Sequence, residues 1–337
     1  MDTALIWIEF FLCLVIILIA GKKVAGYGDI IAARTGIGGL WIGLLLLAIV
    51  TSLPELFSGI SAVILVESPD LAIGAVFGSN AFNLLILVFL EIAYTNGPVL
   101  TSVNSRHLLP AGLSVVLISL PAIFIIITTP DLGLGIGWIG IYTPALILLF
   151  LIFMRMIFLR EQENSIEFQM LEENQENKPA SLKRTYLYFI ISAAFVVGAG
   201  IWLAFVGEDI AEATGWKESF VGSLFIAFTT SLPEMVVSFA ALKLGALDMC
   251  LGNIIGSNLF NMAIIGIDDL FYRQNPILAD VSNSHAFTGL MVVLMTCVVI
   301  AGLIFKAEHK TSFRVSWYAP VLLILYLIAA YASFTIK

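Results

Sequence analysis

Charge is what this chain has least of. Only 12% of its 337 residues are charged, against 60% hydrophobic, whereas a soluble domain carries about 25% charged residues. That shortage argues against a water-soluble globule and makes a bilayer the natural solvent. The net charge of −8 lacks the basic footprint of a nucleic-acid binder. Histidine and cysteine occur three times each. Cys13, Cys250 and Cys297 lie in or beside apolar stretches without paired spacing, so they are expected as small buried hydrophobes rather than disulfides or metal ligands. No HExxH motif or nucleophile–base pair is present, which disfavours an intramembrane enzyme.

What the chain has in abundance is apolar runs near the ~20 residues that cross a hydrocarbon core. Ten are expected, at 4–21, 37–65, 70–93, 108–128, 136–159, 184–206, 217–241, 246–268, 286–305 and 315–335. The first is expected as a retained span rather than a signal peptide, because Lys22 and Lys23 follow the apolar run and no cation precedes it. With the N-terminus outside, the cytoplasmic segments collect Lys22, Lys23, Arg34, Arg106, Arg155, Arg160, Lys178, Lys183, Arg184, Lys243, Lys306, Lys310 and Arg314. Only Lys217, Arg273 and Lys337 stay outside. That bias follows the positive-inside rule and places both termini outside. The polar segment 160–183 reads as a cytoplasmic linker between a first half, 1–159, and a second, 184–337.

The halves repeat. Thr51-Ser52-Leu53-Pro54-Glu55 returns as Thr230-Ser231-Leu232-Pro233-Glu234, and Gly43 aligns with Gly222. GSNAFN at 78–83 returns as GSNLFN at 256–261, with Asp70 on Asp248. Five spans per half is an odd number, so the second half is expected upside down relative to the first. Inverted repeats with interrupted helices are an architecture of secondary transporters. The fold class expected is an all-α polytopic membrane protein with helices two and seven broken.

Each block carries chemistry. A proline lacks an N–H and clashes one turn back, so Pro54 and Pro233 are expected to break their helices and free carbonyls around Ala48 and Ala227. Thr51, Ser52, Thr230 and Ser231 add hydroxyls there. Glu55 and Glu234 fall mid-span, where a carboxylate costs about 2.5–3.5 kcal/mol and marks function by default. Gly78 and Gly256 permit close helix approach. Ser79 with Asn83, and Ser257 with Asn261, share one helix face each, four residues apart. Such hard oxygens suit Ca²⁺, Na⁺ or Mg²⁺. Asp70 and Asp248 are expected to cap helix starts. Asp268 and Asp269 are expected in outer water, and Glu9 at a solvated interface.

On these two blocks the chain resembles the sodium/calcium exchanger family, over almost its whole length. The resemblance implies an antiporter that uses sodium entry to expel calcium, with the lipid bilayer as its surroundings and no cofactor. It implies Glu55 and Glu234 as principal Ca²⁺ ligands, with Ser79, Asn83, Ser257 and Asn261 lining the cavity. Thr51, Ser52, Thr230, Ser231 and the carbonyls of Ala48 and Ala227 would serve sodium. Ala75 stands where many members place Asn. Potassium-dependent members tend to carry Asp at the position of Asn83 or Asn261, and proton-coupled relatives often carry acidic GNxxE-type blocks. Both features are missing here, which favours sodium, with H⁺ or K⁺ coupling as the alternative. A bare transport core without the large regulatory domain of animal exchangers is expected, in a prokaryotic cell membrane.

Overall fold

The computed structural model describes residues 3–35, 47–127, 135–168, 182–243, 245–307, 310 and 315–336. The first half comprises α1 (Thr3–Thr35), α2 (Ala48–Thr51), α3 (Leu53–Ser61) continuing as a π-helical turn Ala62–Val66, α4 (Pro69–Ala93), α5 (Leu108–Ile127) and α6 (Tyr142–Phe168). The second comprises α7 (Leu182–Thr214), then α8 (Glu218–Val221), a π-helical turn Gly222–Ile226, α9 (Ala227–Thr230) and α10 (Leu232–Lys243). It ends with α11 (Leu247–Phe271), α12 (Ser284–Ile304) and α13 (Tyr318–Thr335). The only strands among the described residues, Gly135–Ile136 and Ile139–Gly140, form a small antiparallel hairpin before α6.

Among the described residues, nine helices are long and apolar enough to cross a membrane, and Leu53–Val66 is a shorter apolar helix. Nine expected spans therefore have their helix. The remaining one, 37–65, falls on α2, α3 and the π-helical turn, with 37–46 and Gly43 outside the described residues. Helix ends differ from the apolar runs. The helix of span one continues past Lys22 and Lys23 to Thr35, and that of span six continues to Thr214. The polar segment 160–183 also begins as helix, since α6 reaches Phe168, and 169–181 lie outside the described residues. Lys, Glu and Arg are good helix formers, so a charge marks where a helix leaves lipid rather than where it stops.

Two helices form the centre. Of the most apolar stretch of α4, 94% is buried, and of α11, 89%, against 33% for α1 and 39% for α7. A helix apolar on every side belongs inside, and α4 and α11 meet each other there. Ile8 and Phe11 on α1, with Ile190 and Phe195 on α7, point outward as a lipid-facing surface. α4 is started by the Ser68 hydroxyl, which accepts from Leu71 N at 3.2 Å, and by Pro69 in the first turn, where a missing N–H costs nothing.

Close approach depends on a few glycines. A Cβ on Gly78 would fall 2.2 Å from the Ser223 carbonyl oxygen, and one on Gly222 2.6 Å from that of Leu71. The π-helical turn of the second half therefore lies directly against α4. The long peripheral helices cross over: α1 packs on α10 and α7 on α3, as well as on each other. A Cβ on Gly21 of α1 would meet Pro233 Cγ at 2.7 Å, and one on Gly200 of α7 would meet the Pro54 carbonyl oxygen at 3.3 Å. Each outer helix thus rests, through a glycine, on the proline of the other half.

Candidate functional site

The two helix interruptions have the same shape. α2 ends at Ser52 (φ −89°, ψ 11°) and α3 restarts with Pro54; α9 ends at Ser231 (φ −85°, ψ 4°) and α10 restarts with Pro233. Both serines occupy the sparsely populated bridge region, and each proline falls in a first turn, where it is tolerated. The carbonyls of Ala48 and Ala227, expected to be freed, are not. Ala48 O accepts from Ser52 N at 3.0 Å and Thr51 Oγ1 at 3.3 Å, and Ala227 O from Ser231 N at 3.0 Å and Thr230 Oγ1 at 3.3 Å. The turns just before the serines, Ala48–Thr51 and Ala227–Thr230, keep their helical bonds.

Beside these breaks the structure brings the carboxylates and hydroxyls together across the halves. Glu55 Oε1 accepts from Ser79 Oγ at 3.1 Å and from Ser231 Oγ at 3.2 Å, and Glu234 Oε1 accepts from Ser52 Oγ at 3.0 Å. Thr51 Oγ1 lies 3.5 Å from Ser257 Oγ, and Thr230 Oγ1 lies 3.4 Å from Ser79 Oγ. Asn83 Nδ2 donates to Asn258 Oδ1 at 3.0 Å, and Asn261 Nδ2 donates to Asn80 Oδ1 at 2.8 Å. All of these side chains are buried.

Among the side chains just named, four oxygens have no hydrogen-bond partner: Glu55 Oε2, Glu234 Oε2, Asn83 Oδ1 and Asn261 Oδ1. A buried polar atom left so is costly. All four are acceptors lacking donors, and such hard oxygens are the kind that Na⁺ and Ca²⁺ take as ligands. Among the described residues no cluster of three or more His, Cys, Asp or Glu occurs, so carboxamides and hydroxyls supplement only two charges.

Several participants were not anticipated. Asn80 and Asn258 hold the two carboxamides, and Asn258 Nδ2 also donates to Asn80 O at 3.2 Å. They stand inside the quoted GSNxxN blocks, but pairing residues four apart passes over them. Asn253 donates to Glu234 O at 3.3 Å and to Ser238 Oγ at 3.2 Å, a contact that Ala75 cannot reproduce in the first half.

The remaining acids anchor the scaffold. Asp70 and Asp248 lie in first turns without capping them. Asp70 Oδ1 accepts from Ser282 N at 2.7 Å and His285 Nε2 at 2.8 Å. Asp248 Oδ1 accepts from Asn104 N at 2.8 Å and His107 Nε2 at 3.0 Å. Each acid of one half thus binds the other half, with every residue displaced by 178. Asp268 and Asp269, expected in water, are fully buried. Asp269 accepts from Gly140 N, Tyr142 OH, Thr143 Oγ1 and Ile277 N at 2.5–2.9 Å. Glu91, 178 residues earlier, accepts in the same way from Val99 N, Ser316 N, Ser316 Oγ and Tyr318 OH. Sequence alone hides this, because the donors come from loops and helix starts that lack a shared motif. Glu9 is half-buried and accepts from Trp202 Nε1 at 3.2 Å, and Cys297 is exposed on the lipid-facing side of α12 rather than buried.

Broken helices whose buried carboxylates bond serines of the opposite half, beside paired carboxamides, define a polytopic membrane protein of the cation-exchanger class. The family described as sodium/calcium exchanger protein matches residues 5–159 and 184–335, and the chain belongs to that family. It is 28% identical over 305 residues to an uncharacterized membrane protein, MJ0091, of Methanocaldococcus jannaschii, covering 89% of this chain and 88% of that one. It is 27% identical over 330 residues to the sodium/calcium exchanger MaX1 of Methanosarcina acetivorans, covering 88% and 89%. Its fold matches a solved structure of the sodium-calcium exchanger NCX_Mj soaked with Na⁺ and Sr²⁺, with TM-score 0.62, 24% identity, and 97% and 98% of the two chains covered.

Proposed function

We propose that the protein exchanges Na⁺ for Ca²⁺ across a prokaryotic cell membrane by alternating access. The observation that carries this reading is the set of four buried, unpartnered oxygens on Glu55, Glu234, Asn83 and Asn261. In it, Glu55 and Glu234 hold Ca²⁺, and Ser79, Ser257, Asn83 and Asn261 complete its surroundings. Thr51, Ser52, Thr230 and Ser231 serve Na⁺. The carbonyls of Ala48 and Ala227 join them through the lone pair that the backbone hydrogen bond leaves. Charge supports the exchange: one Ca²⁺ or two Na⁺ neutralise two carboxylates, which a low-dielectric centre requires.

The same reading takes 1–159 and 184–337 as inverted five-span halves joined through 160–183, with both termini outside. α1 and α7, largely unburied and resting on the prolines through Gly21 and Gly200, are the elements that slide past the centre. MaX1 is named a sodium/calcium exchanger, which favours sodium as the coupling ion. The test is ⁴⁵Ca²⁺ uptake into proteoliposomes under an outward Na⁺ gradient, compared with K⁺ and pH gradients. Uptake driven by Na⁺ alone is expected. Equal uptake under a pH gradient without sodium would replace Na⁺ by H⁺.

A further inference from the structure

Asp268 is the one acid among the described residues that is fully buried with both carboxyl oxygens unpartnered. It lies on α11, seven residues beyond Asn261, and faces α3. A Cβ on Gly59 would fall 2.6 Å from its Oδ2 and 2.9 Å from its Oδ1, so the carboxyl group fills the space that a side chain at Gly59 would take. Gly59 is one helical turn past Glu55.

The position breaks the repeat. Its neighbour Asp269 has a counterpart in Glu91, with matched donors. The residue matching Asp268 is Leu90, and the one matching Gly59 is Ser238. Asp268 therefore carries no duty that the other half repeats.

An ionised carboxylate here, with neither donor nor cation, would bear an uncompensated desolvation cost. Na⁺ or Ca²⁺ would need several further oxygens as ligands. A proton needs only the carboxyl group itself. We propose that Asp268 is a proton-binding site, and that it releases its proton when the Glu55–Glu234 centre takes up more positive charge than those two carboxylates balance. With one Ca²⁺ or two Na⁺ the centre is neutral and Asp268 stays protonated. A further Na⁺ leaves a surplus charge, which Asp268 cancels by losing H⁺ to water.

No titratable group around it bonds either of its oxygens. On α3 the nearest is Glu55, and Glu67 beyond the π-helical turn accepts from Gln274. α6 supplies Tyr142, bonded to Asp269, and Arg155; α10 supplies Glu234, bonded to Ser52. On α4, Asp70 and Glu91 are held by His285 and by Ser316 with Tyr318, respectively. α5 has no titratable side chain, and His107 before it is bound to Asp248. On and beyond α11 itself stand Asp248, Cys250, Asp269, and Tyr272 bonded to Asp280.

The linkage to sodium rests on the reading of Glu55 and Glu234 as the ion centre; the proton site does not. Infrared spectra of purified protein without Na⁺ or Ca²⁺ decide the site. At neutral pH a protonated-carboxyl band is expected that disappears in both Asp268→Asn and Asp268→Leu, the latter being the residue the first half already uses, and that shifts without disappearing in Gly59→Ala. A band unchanged in both Asp268 variants overturns the proposal. Proton release on adding Na⁺, followed with a pH dye, decides the linkage. Wild type is expected to release up to one more proton per protein than Asp268→Asn, with no such difference on adding Ca²⁺. Equal release from both proteins overturns the linkage. If neither ion binds, the reading of the ion centre fails while the infrared result still decides the proton site.

Discussion

Replacing one carboxylate of the centre by its amide tests the ion site most directly. In Glu234→Gln the side chain keeps its length and can still accept from Ser52 Oγ, now at 3.0 Å. The same holds in Glu55→Gln for Ser79 and Ser231, at 3.1 and 3.2 Å. What changes is one unit of charge on a ligand that would stand about 2.4 Å from Ca²⁺. At an effective dielectric constant of about 20 this divalent attraction is worth up to about 14 kcal/mol, counting two charges on the ion. Most of it is offset, because the carboxylate no longer has to be desolvated and the amide oxygen remains a dipolar ligand. A residue of about 3 kcal/mol, or roughly a hundredfold in affinity, is a lower bound for the loss. Titration calorimetry with Ca²⁺ on purified protein reads it, and ⁴⁵Ca²⁺ exchange in liposomes should nearly vanish. The two variants should suffer alike, since their helix breaks have matching geometry. Burying a neutral amide costs less than burying a carboxylate, so expression and folding should survive. A folded Glu234→Gln protein that binds and exchanges Ca²⁺ like wild type would refute the site.

Other consequences are separable from the ion site. Glu91→Ala or Asp269→Ala removes the acceptor of two buried backbone N–H groups and at least two hydroxyls, at roughly 1–3 kcal/mol per orphaned group. Either variant should melt well below wild type in a fluorescence thermal scan, and an unchanged melting temperature would mean that these anchors are dispensable. Gly21→Ala places a Cβ 2.7 Å from Pro233 Cγ, whereas Gly200→Ala meets nothing nearer than 3.3 Å; overpacking of roughly 1–3 kcal/mol is expected for the first and little for the second. Equal exchange rates and melting temperatures for the two would contradict this packing. With exposed Cys297 replaced, single cysteines along α1 and α7 should change their labelling between Na⁺ and Ca²⁺ if those helices slide. A constant pattern in a transporting preparation would fix them in place.

Nine spans, the breaks and the burial of the four central side chains were legible because each leaves a local mark: an apolar run, a proline, or a polar residue that lipid would not tolerate. Helix ends were not, because charged helix formers such as Lys22 and Lys23 end an apolar run without ending the helix. The anchors of Glu91 and Asp269 were missed for a different reason. Their donors, including Val99, Ile277 and Tyr142, sit in loops or helix starts without motif or charge, and only the fold brings them to the acid. Placing Asp268 and Asp269 in water followed from treating charge near a span end as surface. A chain that can supply four donors to one carboxylate can bury it instead, as it does Asp269, while Asp268 is buried without any.

The repeat also separates scaffold from function. Acids that bind across the halves come in pairs with matched donors: Asp70 with Asp248, and Glu91 with Asp269. Such pairs fix how the halves sit together, and either member could be inferred from the other. Departures from the repeat lie nearer the centre. Asn253 ties the Glu234 backbone to Ser238 where the first half has Ala75 and Gly59, and Asp268 fills the space beside that same Gly59. The exchange of Ser238 for Gly59 thus opens on one side the room that a hydroxyl occupies on the other. Two carboxylates of equal sequence context therefore stand in unequal surroundings: the turn after Glu234 is held by hydrogen bonds, while the turn after Glu55 faces a carboxyl group without a partner. On the proposed function, an ion moving between sites around such a pair would meet a different environment at each.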